Sequence, residues 1–208
     1  VIFGLHTLLW IPRSLQMRRA HQLQPEQLEG KQFLRFPLLY RVLHAVMIIS
    51  FLTLALTGMT LKFAYTRWAG VLSYLLGGFA VSGILHRLAA VTLLTIFSVH
   101  VWDLLRNKKQ QLGGWKLLLR GPDTVLLTMR DLWELIATIK WYVGKGERPR
   151  YGRWTYWEKF DYFAVFWGVA MIGLSGLMLW QPGFFTKFVP GWVFNVAIII
   201  HSDEALLA

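Results

Sequence analysis

With no cysteine in its 208 residues, the chain has no thiolate to offer an iron–sulfur cluster, a covalent haem linkage or a disulfide. Histidine is left as its main soft ligand, and there are six: His6, His21, His44, His86, His100 and His201. Two of them stand in one apolar run, Gly83-Ile84-Leu85-His86-Arg87-Leu88 continuing to Phe97-Ser98-Val99-His100-Val101-Trp102. Wound as a helix, a separation of fourteen residues falls within ~40° of four whole turns and spans ~21 Å of axis. Both imidazoles therefore leave nearly the same face, one toward each end of a helix apolar enough to lie in lipid. Ionisable side chains are costly in hydrocarbon, and where they occur they are by default functional.

Depth sorts the histidines into two levels. His86 lies roughly seven residues into its apolar run, and His201 roughly nine into another, counted from the same side of the membrane. At ~1.5 Å per residue both sit ~10–14 Å deep. Two imidazoles at one depth on different helices are what a bis-histidine haem needs, and we read His86 and His201 as its axial ligands. His44 and His100 lie about six and five residues from the opposite side and share an inner level. An inner haem then has three candidate ligands: His44, His100 and a histidine beyond Ala208. His6 reads as interfacial and His21 as a solvated loop residue. Arg41, three before His44, and Arg87, directly after His86, are placed to hold haem propionates. For Arg41, snorkelling to the nearby surface competes with that role. Asp203 and Glu204, next to His201, are acids at a depth where they either relay protons or pair with a cation. Two other classes of function compete: a proton-coupled transporter without haem, and a non-redox membrane anchor of an oxidoreductase complex.

The elements that must position these residues are transmembrane helices. The chain is 55% hydrophobic with 11 Trp and 14 Phe, too apolar for an ordinary soluble domain. Spans are expected at about 38–61, 79–105, 160–180 and 193–208. Residues 1–11 read as the end of a truncated N-terminal span closed by Pro12-Arg13, and 193–208 as a span also cut short. Residues 71–78 are apolar but broken by glycine and read as interfacial. Between the second and third spans, Asp123 to Val143 has helical periodicity interrupted by charge. That is the pattern of an amphipathic helix lying in the interface, with Asp123 as its N-cap. The fold class expected is all-α transmembrane: a four-helix haem-binding bundle over residues 38–208, preceded by the extra N-terminal span and a loop at 12–37.

A net charge of +11 could signal nucleic acid, but its distribution argues against that. Of the 22 Lys and Arg, 17 lie in the loops at 12–37 and 106–159, whereas the loops at 62–70 and 182–192 hold only Lys62, Arg67 and Lys187. By the positive-inside bias the first two loops are cytoplasmic, and His86 and His201 belong to the outer half of the membrane. Membrane lipid is thus the expected surroundings, in the cytoplasmic membrane of a bacterium or archaeon.

Several short motifs in order carry a resemblance over about residues 35–208. Arg41-Val42-Leu43-His44, with Thr57-Gly58 near the far end of the same span, resembles the first haem-binding span of the cytochrome b subunits of membrane-bound formate dehydrogenases and nickel–iron hydrogenases. Gly83-Ile84-Leu85-His86 resembles their second span, Leu174-Ser175-Gly176-Leu177-Met178-Leu179-Trp180-Gln181-Pro182 the end of their third, and Ile198-Ile199-Ile200-His201 the first histidine of their fourth. The resemblance implies two b haems stacked across the membrane, His86 paired with His201, and His44 paired with a second histidine of span four beyond Ala208. His100 departs from that pattern and is more like the two-histidine helix of the cytochrome b of quinol–cytochrome c oxidoreductases. The family binds a quinone near the cytoplasmic-side haem, by the loop before span three. Here that loop reads Tyr151-Gly152-Arg153-Trp154-Thr155-Tyr156-Trp157-Glu158-Lys159 and lacks the family's asparagine-containing motif. Glu158 and Asp161 are the titratable groups available there. The extra leading span points to a redox partner on the outer face, such as a multihaem c-type cytochrome.

Overall fold

The computed structural model describes residues 2–19 and 36–207, and His21 with most of the loop around it lies outside them. The described residues form helices joined by turns and loops, without strands. In chain order they form α1 (Ile2–Arg19), α2 (Leu38–Lys62), α3 (Arg67–Leu75) and α4 (Phe79–Asp103). A π-helical turn, Leu104–Lys108, carries α4 into α5 (Lys109–Gln111). Then come α6 (Trp115–Arg120), α7 (Met129–Tyr142), α8 (Tyr156–Trp180), α9 (Pro182–Phe185) and α10 (Trp192–Ile199). A second π-helical turn, Ile200–Glu204, joins α10 to α11 (Ala205–Leu207).

Among the described residues, three helices are long and apolar enough to cross a membrane: Leu38–Lys62, Phe79–Gln111 and Tyr156–Trp180. Of the most apolar stretch of each, only 11% is buried within the protein, which leaves most of those side chains for lipid or for another occupant. The seams that do form are built of small residues. Ser50, Thr57 and Thr60 of α2 are buried against α4, which contributes Ser82 and Ala89, while Ser175 and Met178 of α8 meet α10 and its buried Ala197. Without a hydrophobic drive between helices in lipid, such close backbone approach is what holds them. The hydroxyls are not orphaned. Thr53, Thr57, Thr60, Ser82 and Ser175 each return a hydrogen bond to the carbonyl four residues back, at 2.6–3.0 Å.

These seams make two hairpin-like pairs. One is α2 with α4, and the other is α8 with α10 and the π-helical turn after it. Between the pairs, contact is concentrated where α4 meets α8. Gly173 approaches Leu94 there, and Phe97 meets Phe166 edge-on at 4.8 Å between ring centres. At the C-terminal end of α2 Lys62 bridges the pairs, bonding the Ser202 carbonyl at 3.1 Å and Asp203 at 2.6 Å. Glu204 accepts from the Trp167 indole at 3.0 Å. Both acids noted beside His201 therefore have partners.

Several boundaries differ from the sequence reading, and α3 starts at Arg67 inside the stretch read as a loop. α1 does not stop at Pro12 but runs through it to Arg19. A single proline removes one helical hydrogen bond, and the helix continues where packing holds it. Here Trp141 donates to Met17 and Tyr142 bonds His6. The interfacial helix starts at Met129 and not at Asp123. Thr124 turns its hydroxyl to the Leu118 carbonyl at 2.7 Å and accepts from the Leu126 amide, and Thr128 with Asp131 forms the true capping box. α8 begins at Tyr156, four residues early, because Thr155 and Glu158 make a second capping box. Glu158 spends its carboxylate there, accepting from the Thr155 amide and hydroxyl at 2.8 Å.

The polarity of α7 is turned outward. Its packed side is Asp131, Glu134, Thr138 and Trp141, while Met129, Leu132, Trp133, Ile139 and Val143 are exposed. Asp131 and Lys159 form a buried ion pair at 2.9 Å that ties α7 to the start of α8. Burial alone would raise the Asp131 carboxyl. The bonds from Thr128 and Lys159, with the lysine's charge, outweigh it and hold the group below the usual carboxylate range.

Candidate functional site: a facing histidine pair between the helix pairs

His86 of α4 and His201 of the second π-helical turn approach each other between the helix pairs, ring centres 6.1 Å apart and planes at 82°. Two imidazole–metal bonds of about 2 Å, plus half a ring on either side, sum to about 6 Å. The separation is thus that of two imidazoles sharing one metal atom.

The hydrogen-bond partners fix which nitrogen is free. Thr57 lies 2.9 Å from His86 Nδ1, and its own hydroxyl proton is committed to the Thr53 carbonyl at 2.6 Å. The Thr57 oxygen must then accept, and His86 carries its proton on Nδ1. His201 Nδ1 lies 3.0 Å from the Ile172 carbonyl, which can only accept, so His201 carries its proton on Nδ1 as well. Among the described residues neither Nε2 has a hydrogen-bond partner, so each ring presents that nitrogen to a metal. This is the state a metal-ligating histidine adopts when a neighbouring group holds its other nitrogen.

Two glycines form the walls behind the rings. A β-carbon on Gly58 would lie 3.3 Å from His86 Cε1, and one on Gly176 only 2.7 Å from His201 Cε1. No side chain fits at Gly176 without moving the imidazole. The helix bearing His86 is launched by a turn at Gly77 and Gly78, whose φ angles of 92° and 100° favour glycine. His201 sits in a π-helical turn, a widened winding common where a helix presents a functional group.

The remaining residues read from the sequence divide. Arg87 is exposed beside His86 with its guanidinium 5.9 Å from the Trp180 ring centre, and among the described residues it has no carboxylate partner. Arg41 is exposed near the other end of α2. His44 is exposed on α2, fourteen residues before Gly58 and hence on nearly the same stripe, toward the inner level. His100 does not meet His44. Its Nε2 bonds the Tyr162 hydroxyl at 2.9 Å, and its ring packs edge-on against Tyr40, Tyr162 and Phe166. His6 bonds the Tyr142 hydroxyl at 2.9 Å within an aromatic group that includes Tyr156 and Trp157.

Sequence reasoning missed Thr57 as the partner of His86, although Thr57-Gly58 stood out as a motif. It also missed a polar group where the start of α2 meets the end of α4. There Tyr40 donates to Asp103, Asn107 donates to the same carboxylate at 2.6 Å, and Lys108 lies 5.4 Å from the Tyr40 ring centre. Aromatic hydroxyls at matched depth on α2 and α8 were the available signal.

The donor set fits a haem. It offers two imidazoles at the required spacing with each Nδ1 held by a protein acceptor, glycine walls beside both, and an arginine without a carboxylate partner next to His86. Among the described residues no cluster of three or more His, Asp and Glu suits a bare metal ion. The sequence matches no family model, and no curated protein or solved structure is similar to it.

Proposed function

We propose that this chain is a membrane-embedded b-type cytochrome that carries electrons between the quinone pool and a redox partner on the outer face of a bacterial or archaeal cytoplasmic membrane. The observation that carries the reading is the close pair His86 and His201, 6.1 Å apart with each Nδ1 committed elsewhere. A bound haem supplies one-electron redox chemistry. The chain supplies the axial nitrogens, holds them through Thr57 and the Ile172 carbonyl, and excludes water with apolar helices. Arg87 is suited to a propionate on the outer side. His44, on the glycine stripe of α2, is the described residue best placed to serve a second, inner haem, with Arg41 near it. His100 is the weaker inner candidate because its Nε2 is already bonded to Tyr162. The polar group of Tyr40, Asp103 and His100 suits a quinone headgroup at the inner end, since it combines hydroxyl, imidazole and carboxylate within ring-contact distances.

The test is the visible and electron paramagnetic resonance spectrum of protein purified from cells supplied with haem. A Soret band and a low-spin bis-histidine signal are expected, and replacing either His86 or His201 by Ala should remove one α-band component and stop electron transfer to quinone. A colourless protein would favour the proton-coupled transporter. Undiminished transfer in both alanine variants would leave only an anchor.

A further inference from the structure

Away from the histidine pair, a cavity of about 340 Å³ opens where the end of α6, the start of α7 and the loop before α8 converge. That volume is in the range of small-ligand sites. Its charged lining is Arg120, Arg130, Glu134 and Lys159. Much of this charge is already matched: Lys159 pairs with Asp131, and Arg130 donates to Glu134 Oε1 at 2.9 Å. Two groups are not. Glu134 is only 8% exposed, yet its second oxygen, Oε2, has no donor. A buried carboxylate oxygen is a strong acceptor that is costly to leave without a donor, which marks this cavity as a place for a ligand's donor. Arg120 is exposed and has no carboxylate partner among the described residues.

The ligand that fits must bring an anion for Arg120 and a hydrogen-bond donor for Glu134. Its surroundings narrow the choice further. The outward face of α7 beside the cavity is apolar, with Met129 69% and Trp133 65% exposed, while its polar side is the one packed on the protein. A helix so oriented lays its apolar face into the headgroup and acyl boundary, which brings the cavity to the level of lipid phosphates. Gly152 forms part of the wall, where a β-carbon would lie 3.4 Å from the Arg130 guanidinium.

We propose that this cavity binds the headgroup of an amino-phospholipid, with the phosphate on Arg120 and the N–H donors of the ammonium on Glu134. The assignment does not depend on haem. Choline headgroups carry no N–H, and glycerol headgroups lack the positive charge that a buried carboxylate favours. Phosphoethanolamine and inorganic phosphate separate a lipid from a free anion.

The test is native mass spectrometry of the full chain released from detergent doped with ethanolamine, choline or glycerol phospholipid. A companion melting series uses phosphoethanolamine or phosphate alone. One retained ethanolamine lipid is expected, in at least a five-fold preference over choline lipid. Glu134→Gln should abolish the preference, and Arg120→Gln should weaken retention of all three lipids. Arg120 is exposed, so that variant keeps the test open if Glu134→Gln fails to fold. Equal retention of ethanolamine and choline lipid overturns the proposal. So does a glycerol-lipid preference that survives Glu134→Gln, or stabilisation by phosphate alone equal to that by phosphoethanolamine.

Discussion

Placing a methyl group at position 176 tests whether the fold sets the distance between the two imidazoles. A β-carbon there would stand 2.7 Å from His201 Cε1 and 3.1 Å from Nδ1. Carbon atoms in comfortable contact are about 3.5–4.0 Å apart, so the ring must withdraw by about 1 Å in Gly176→Ala. It cannot do so while keeping the 3.0 Å bond to Ile172 and the 6.1 Å spacing to His86 together. Overpacking of this kind costs about 1–3 kcal/mol. Displacing a ligand or its supporting group costs about 10–100-fold in metal affinity. Gly58→Ala is the internal control. Its β-carbon would lie 3.3 Å from His86 Cε1, which asks for only a few tenths of an ångström. The assay is haem titration into each purified apoprotein, followed by the low-spin resonance of the outer site. Gly176→Ala should lose at least ten-fold in affinity or lose the low-spin signal, and Gly58→Ala should stay within about three-fold of the parent. If both variants bind like the parent, the walls do not set the spacing. A larger loss in Gly58→Ala would refute the reasoning as well.

Other outcomes follow from the same geometry. Thr57→Val removes the acceptor for His86 Nδ1 while keeping the side-chain volume. The imidazole becomes a weaker donor to iron, so the midpoint potential of the outer haem should move positive in a redox titration with binding retained. His100→Gln should leave the low-spin signal of the His86 and His201 site unchanged, because His100 spends its Nε2 on Tyr162, and its loss from that spectrum would contradict the assignment. Asp131→Asn leaves Lys159 buried without its counter-charge and should cost about 3–5 kcal/mol of stability, read as a large fall in melting temperature. The pH dependence has a defined sign. The Asp131 carboxyl is held below its ordinary value, so its contribution is complete above about pH 4 and is lost as pH falls through the lower folded value. The parent should therefore soften in melts below about pH 4, and Asp131→Asn should show less of that acid dependence.

How much of this was readable in the chain depends on whether the signal was local. The apolar runs located α2, α4 and α8 to within a few residues, since lipid imposes length and composition directly. The start of α7 was misplaced because two candidate caps stand five residues apart and only tertiary packing chooses Thr128 over Asp123. The outward turn of α7 was also hidden. Periodicity shows that a helix has an apolar side, but whether that side faces protein or bilayer depends on what Asp131 and Glu134 meet. Matched depth brought His86 and His201 together on paper, and they do approach each other. The same argument put His44 level with His100 and could not anticipate Tyr162, sixty-two residues away in sequence, taking the Nε2 of His100. Nor does composition announce a π-helical turn, which differs from its neighbours only in winding.

That winding makes chain length itself a determinant here. The turn Ile200–Glu204 accommodates one residue more than an α-helical path would need. Deleting Ser202 would let the turn relax to regular pitch and change the angles at which the residues inside it leave the helix, while the residues after it keep their phase. Asp203 would lose the Ser202 hydroxyl and swing away from Lys62, and Glu204 would swing away from Trp167. Insertions and deletions at this position should therefore be far less tolerated than substitutions, the reverse of what holds in a surface loop.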